Sequence, residues 1–268
     1  MPHRNYRDAV VVITGAGSGI GRDLALLLGE RGARLVLSGR RRDRPDAVCD
    51  EVATANATVL VAPCDVADAQ QVREWAASIL RATGRIDVLV NNAGRGAYGP
   101  FEGVSVNDHD AVIDTNLRGL IHTTHALLPA MLERGHGQLV FVSSVLGELP
   151  APDHAVYAAT KSAVNAFAES LSHELCGRGI DVTVAVPGLV RSEFAETSGT
   201  PQVRFRQVPS KSASEAAADV LRAMERNRPL AIGDRLSAAA IRVRRHTPRL
   251  FHWIFSRVFE TVRKRGEQ

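Results

Sequence analysis

The stretch Ala9–Gly21, AVVVITGAGSGIG, decides the fold. Ala9 to Ile13 is an apolar, β-branched run that reads as a strand, and Thr14 leads from it into a cluster of glycines. Leu24, Leu27 and Leu28 then open a helical pattern. Strand, glycine turn and helix in that order form a cradle for a phosphate group. Gly15 permits the tight turn, Gly19 lets the backbone approach a pyrophosphate, and Gly21 lets helix and strand pack closely, while the helix N-terminus supplies amide donors and a positive dipole end.

The same alternation continues down the chain. Strand Arg34–Ser38 ends at Gly39-Arg40-Arg41-Arg42, where an NAD site usually places a carboxylate for the ribose hydroxyls and an NADP site needs a cation for the 2′-phosphate. The acid is missing and arginines replace it, so NADP(H) is the expected cofactor and Arg40 the phosphate ligand. A helix over Asp43–Ala55 and a strand over Thr58–Ala62 lead to Cys64-Asp65-Val66, with Asp65 within reach of an adenine amino group and Asp68 better placed to cap the helix Ala69–Ala82. Gly84 stops that helix, and strand Asp87–Val90 ends in Asn91-Asn92-Ala93-Gly94, which suits a close cofactor contact or an ordinary turn. Asp110–Arg134 reads as one long helix containing Asn116, an unusual interior residue. His122 and His125 lie on it without a third ligand, so no metal site is expected.

Strand Gln138–Val142 runs into Ser143 and Ser144, and a Pro-broken loop precedes a helix carrying Tyr157 and Lys161. Four residues apart on a helix, the ammonium and the phenol share a face. A cation there favours the phenolate and makes Tyr157 a general acid and base usable near neutrality. Strand Asp181–Val186 then leads to Pro187-Gly188-Leu189-Val190-Arg191-Ser192, and a polar stretch over about 191–210 reads as a substrate lid, with Phe194, Val203 and Phe205 to close over an apolar substrate.

Length and composition agree with one α/β domain: 268 residues and 45% hydrophobic content suffice for a large core. Cys49, Cys64 and Cys176 are odd in number and widely spaced, which suits reduced thiols in a cytoplasmic protein. The start shows no secretion signal, and no apolar run is long enough to span a bilayer. From Arg235 to Gln268, nine Lys or Arg stand against Glu260 and Glu267, so this tail carries +7 while the whole chain is +4 and the body is −3. The body therefore gives no reason to expect nucleic acid binding.

Taken together, TGAGSGIG, CDV, NNAG, the Ser144-Tyr157-Lys161 spacing and PGLVRS resemble, in order, the motifs of the short-chain dehydrogenase/reductase family from about Ala9 to Met224. The resemblance implies a doubly wound parallel sheet of Rossmann-like type and a catalytic tetrad of Asn116, Ser144, Tyr157 and Lys161. It implies that Tyr157 exchanges a proton with the substrate oxygen and Ser144 hydrogen-bonds that oxygen. Lys161 lowers the tyrosine pKa and holds the nicotinamide ribose, and Asn116 anchors a water in the proton relay. It further places Gly15, Ser18, Gly19, Ile20, Gly21, Arg40, Asp65, Val66, Asn91, Pro187, Gly188, Val190 and Ser192 on the cofactor, beside Tyr157 and Lys161. The expected activity is NADP(H)-dependent hydride transfer between nicotinamide and a ketone or secondary alcohol, in a mainly apolar pocket lined by Gly94 to Tyr98, Val145, Leu146, Leu149 and the lid. The alternatives are epimerisation or other tailoring chemistry without net cofactor turnover, and a non-catalytic NADP(H) sensor.

The resemblance stops at the end of the chain. Family members often close with a seventh strand and a short tail that makes tetramer contacts, whereas Arg228–Gly233 is followed here by a basic tail. A homo-oligomer, dimer or tetramer, is expected. The reading divides the chain into a dinucleotide-binding and catalytic domain, 1–233, and a basic helical extension, 234–268. After Thr247-Pro248, the side chains of Phe251, Ile254, Phe255, Val258 and Val262 fall on one helical face. That stripe suits packing on the domain or on a partner subunit, which is the favoured reading, or contact with an anionic membrane surface.

Overall fold

The apolar run after Ala9 becomes strand β1 (Val10–Thr14), fully buried, and leads through the glycine turn into helix α1 (Gly19–Glu30). The structure, a computed structural model, describes residues 4–53, 58–191, 194 and 210–266. The alternation continues with β2 (Arg34–Ser38), α2 (Asp43–Ala53), β3 (Val59–Val61), α3 (Ala69–Thr83), β4 (Val88–Asn91), α4 (Val106–Ile113) and α5 (Gly119–Arg134). Then come β5 (Gly137–Val142), α6 (Ala155–Glu174), β6 (Ile180–Val186), the short β7 (Val190–Arg191) and β8 (Lys211–Ser212), α7 (Ala213–Glu225) and β9 (Leu230–Ile232). Two further helices, α8 (Arg235–His246) and α9 (Pro248–Gly266), end the described chain.

Among the described residues, seven strands form one parallel sheet in the order β3-β2-β1-β4-β5-β6-β9. Parallel strands must be covered on both faces, and the side chains show it. Val10 and Val12 of β1 join a core with α3, α5 and α6, while Val11 and Ile13 join a second core with α1, α2 and α7. β5 divides the same way, Leu139 and Phe141 to one side, Val140 and Val142 to the other. The strand order reverses between β1 and β4, which opens a crevice at their carboxyl ends, the place where such sheets hold ligands.

Two features depart from the sequence reading, at Leu230–Ile232 and at Asp114–Arg118. Leu230–Ile232 does supply a seventh strand, paired in register with Val184–Val186 of β6. The tail, expected to be helical, begins with α8, whose N-cap Asp234 accepts a hydrogen bond from the Ser237 amide at 2.7 Å. The helix expected over Asp110–Arg134 is interrupted: Asp114–Arg118 forms a wider π turn between α4 and α5. Such turns insert a residue and shift the helical phase, but the polar Asp114, Asn116 and Arg118 leave too few apolar residues there for the 3.6-residue pattern to reveal it.

Candidate active site

Two side chains stitch the crevice together. The Thr14 hydroxyl accepts hydrogen bonds from the amides of Asn92 and Ala93, both at 3.1 Å, and the Asn92 carboxamide donates to the carbonyls of Thr14 and Gly15, both at 3.0 Å. The glycine turn is thereby tied to the end of β4. Gly15 has φ +65, a conformation that favours glycine, and a Cβ at Gly21 would overlap the carbonyl oxygen of Gly15. Ser18 is the N-cap of α1 but its hydroxyl makes no cap bond, and no acid occupies the first turn of α1. Gly19 is the first residue of α1, and Ile20 packs partly against the core beneath it. The amides and dipole of this helix end are what a pyrophosphate requires.

Around this cradle the expected contacts divide. Arg40 and Arg41 are exposed just past β2, while Arg42 pairs with Asp46 of α2 at 3.5 Å. Arg44 was not singled out by the sequence, yet its Cβ lies 2.7 Å from where a Cβ on Gly17 would stand, so it flanks the glycine turn. Asp68 caps α3 by accepting from the amides of Gln70 and Gln71, at 2.8 and 3.1 Å, and Asp65 accepts from the Ala67 amide at 3.1 Å.

Asn91 stands at the end of β4, and its buried carboxamide accepts from the Thr123 hydroxyl at 2.7 Å and donates to Thr124 at 3.0 Å. That pairing fastens β4 to α5. Val66 also turns inward. A Cβ on Gly119 would crowd its side chain, and its carbonyl meets His122 Nδ1 at 3.3 Å, which gives that histidine a local partner.

The chemistry-bearing residues gather at the carboxyl ends of β4, β5 and β6. Tyr157 and Lys161 are buried on α6, and Ser144 is the second residue past the end of β5. Ser144 Oγ accepts from the Leu146 amide at 3.2 Å, and the next amide, Val145, donates to the Pro187 carbonyl at 2.9 Å, which binds the loop after β5 to the loop after β6. Lys161 Nζ donates to the Val142 carbonyl at 2.9 Å and lies 5.8 Å from the Tyr157 ring centroid. Asn116, carried inward by the π turn, accepts from the Arg95 amide at 2.8 Å and donates to the Arg95 carbonyl at 3.0 Å and to Thr160 Oγ1 at 3.2 Å. Thr160 is a residue the sequence reading missed. It is buried between Tyr157 and Lys161 and donates to the Tyr157 carbonyl at 2.8 Å; a hydroxyl on the buried face of a helix was the available signal.

The electrostatics differ from the sequence expectation in one respect. Burial pushes the Tyr157 phenol up to about 12, with the Ser144 hydroxyl drawing it back, and burial also pulls the Lys161 ammonium down to about 8. Desolvation outweighs the expected help of the lysine, whose ammonium is turned to Val142.

Aromatic rings wall the phenol. Tyr98 meets Tyr157 edge-on at 5.8 Å and His154 at 4.7 Å, and Phe194 lies 6.0 Å from Tyr157 and 6.5 Å from Tyr98. Ala97, Val104 and Leu146 complete this small apolar cluster, and Leu149 is buried, whereas Val145 packs into the main core instead. Val190 pairs with Lys211 in the small second sheet, and a Cβ on Gly188 would overlap the Asp234 carboxylate. Ser192 and most of the expected lid, Val203 and Phe205 among it, lie outside the described residues.

Comparison with known proteins agrees with this geometry. The family model described as short chain dehydrogenase matches residues 9–202. A dehydrogenase/reductase SDR family member 7B of Bos taurus is 34% identical over 258 residues, covering 91% of this chain and 79% of that protein. A short chain dehydrogenase/reductase of Burkholderia phymatum, solved in complex with NAD, superposes with a TM-score of 0.83 at 27% identity, over 92% of this chain and 96% of that one. A short-chain dehydrogenase of Sphingobium yanoikuyae in complex with NADPH superposes with a TM-score of 0.77 at 28% identity, over 84% and 87%. With its crevice, its motifs and these matches in agreement, the chain belongs to the short-chain dehydrogenase/reductase family of oxidoreductases.

Proposed function

We propose that the protein is an NADP(H)-dependent oxidoreductase that moves a hydride between nicotinamide and a ketone or secondary alcohol of mainly apolar character. The observation that carries the reading is the convergence of Tyr157, Ser144, Lys161 and Asn116 beside the glycine cradle, at the carboxyl edge of the sheet. The residues of the crevice fit a dinucleotide: α1 presents an end with no side-chain cap and no acid, and Gly15 and Gly21 leave room for the close turn. One structural neighbour binds NAD and another NADPH, so the choice rests on this chain's own residues. β2 ends in Ser38-Gly39-Arg40 with no carboxylate, which supports the 2′-phosphorylated cofactor, with Arg40 as its cation.

The bound cofactor supplies or takes the hydride. The protein handles the proton. With its pKa raised, Tyr157 is a protonated acid at neutral pH and gives its proton to the carbonyl oxygen during reduction; the reverse reaction returns it. Ser144 donates a hydrogen bond to the same oxygen and stabilises the charge that develops there. Lys161 holds the ribose side of the site. Asn116 keeps the loop after β4 against α6 through Arg95 and Thr160, and so sets the spacing of the group. Tyr98, Leu146 and Phe194 form the apolar wall for the substrate. In this reading 1–233 is the catalytic unit, the protein is cytoplasmic and it works as a homo-oligomer; among the described residues no helix is long and apolar enough to cross a membrane.

The test is NADPH oxidation with a panel of apolar ketones. Tyr157→Phe should lower kcat/KM by a factor of about 10² to 10⁴ while NADPH binding is kept. Undiminished activity in that variant would refute the assignment.

A further inference from the structure

The two carboxyl-terminal helices turn outward apolar side chains that the other described residues leave exposed. On α9, Leu250, Trp253, Ile254 and Arg257 recur at the spacing of one helical face, and the three apolar residues are 53%, 55% and 46% exposed. Phe251 and Phe255, stacked at 4.9 Å, are only half-buried on the neighbouring face, and α9 packs on α8. The apolar stripe read from the sequence is thus split: its phenylalanines turn partly inward and Ile254 turns out. α8 adds Leu236 and Val243, seven residues apart and both exposed, while Ile241 anchors that helix in the body. Between Arg235 and Arg257 there are six arginines and no Asp or Glu. Arg244 and Arg245 are bonded to Glu148, but Arg235, Arg242 and Arg249 are exposed, and the Arg257 guanidinium covers the Trp253 ring at 4.8 Å.

We propose that this face docks on an anionic lipid surface. Exposed Leu, Ile and Trp flanked by arginines make the composition of a helix that lies in the interface plane, its apolar residues among the acyl chains and its cations at the headgroups. Indole suits that boundary because it is apolar in body and polar at one end. The absence of any acid over Arg235–Arg257 sets the sign of the partner. A second copy fits less well, because a two-fold contact would bring the arginine-rich stretch Arg235–Arg257, which contains no acid, against its own copy. The body carries −3, so it is this face that orients the molecule on a negative surface.

The experiment uses the full-length protein and vesicles of phosphatidylcholine with or without phosphatidylglycerol. The protein should float with the anionic vesicles, fail to float with the neutral ones, and be released by high salt. Trp253→Glu with Ile254→Glu, and separately Arg249→Glu with Arg257→Glu, should weaken binding at least tenfold, with unfolding temperature and mass by light scattering unchanged. Brominated lipid should also quench the wild-type tryptophan emission, which reports Trp253 because Trp75 is 5% exposed in the core. No flotation with anionic vesicles, binding indifferent to both double variants, or no quenching would overturn the proposal. A fall in molecular mass in the Trp253/Ile254 variant would overturn it too, by assigning the face to a second copy.

Discussion

Lys161 places its ammonium 2.9 Å from the main-chain carbonyl of Val142, the residue that ends β5 just before the two serines. The lysine therefore braces the strand end that presents Ser144 as well as standing beside the phenol, and its buried charge is the easiest in the site to lose.

That ordering of acidities gives a pH profile. Lys161 is charged below about 8 and Tyr157 keeps its proton up to about 12, so the form competent for carbonyl reduction persists through neutrality and loses its cation first as pH rises. kcat/KM for reduction should be level on the acid side of 8 and fall through an inflection near it. Lys161→Met should have a lower plateau and no such inflection. A profile that falls only above pH 10 would contradict this account.

The close packing of the glycine cradle predicts a steric penalty at one position. Gly21→Ala would drive a methyl group into the Gly15 carbonyl and the Asn92 carboxamide, at a cost of about 1–3 kcal/mol, and would weaken cofactor binding with it. Gly103→Ala, with nothing within 4 Å, is the matched control and should leave both unfolding temperature and cofactor affinity alone. Equal behaviour of the two variants would show that the cradle is looser than described.

Asp87 ties the start of the sheet together, accepting from the Val10 amide at 2.8 Å and from Arg85 and Arg134, each at 3.0 Å. Burial alone raises its pKa, but these three donors outweigh it and hold the carboxyl below its ordinary value. Because the folded-state pKa lies below the unfolded one, the stabilisation is complete above the ordinary carboxylate range, and is lost as pH falls toward and below it. Asp87→Ala should cost about 3 kcal/mol at pH 7 by denaturant unfolding, with a smaller difference from wild type in acid. A difference independent of pH would remove the charge from the explanation.

The proposed preference for NADP(H) rests on Arg40. Arg40→Ala should reduce the ratio of NADP⁺ to NAD⁺ affinity at least tenfold (about 1.4 kcal/mol), whereas Arg42→Ala, which removes a surface pair with Asp46, should change it little. Titration of both dinucleotides on each variant decides the matter, and an unchanged ratio in Arg40→Ala would count against the NADP reading.

Legibility followed the physics of each signal. The parallel sheet was readable because runs such as Val10–Ile13 must be apolar on both faces, and Gly15 and Gly21 because their backbone and packing demands admit no side chain. The proposed tetrad residues were singled out individually, but what positions them was not: the π turn that carries Asn116 inward falls in a mostly polar stretch where a shift of helical phase leaves little trace, and Thr160 resembles any helical threonine until its neighbours are known. The bonds of the Asn91 carboxamide were not legible, because an amide at a strand end suits either a ligand or the next helix, and Thr123 and Thr124 take it only once α5 has folded across β4. Strand β9 was missed because Leu230–Ile232 is only three residues long and gains its identity from pairing with β6.

Glu148 lies four residues past Ser144, and its carboxylate receives Arg245 at 3.0 Å and Asn165 at 3.1 Å while its carbonyl takes Arg244. Shortening the chain before Arg244 would leave an acid that is 13% exposed with only an amide for company, in the segment that shapes the reaction chamber. Kinetic defects in shortened forms would thus report a lost buttress beneath the loop after Ser144 as much as a lost anchor.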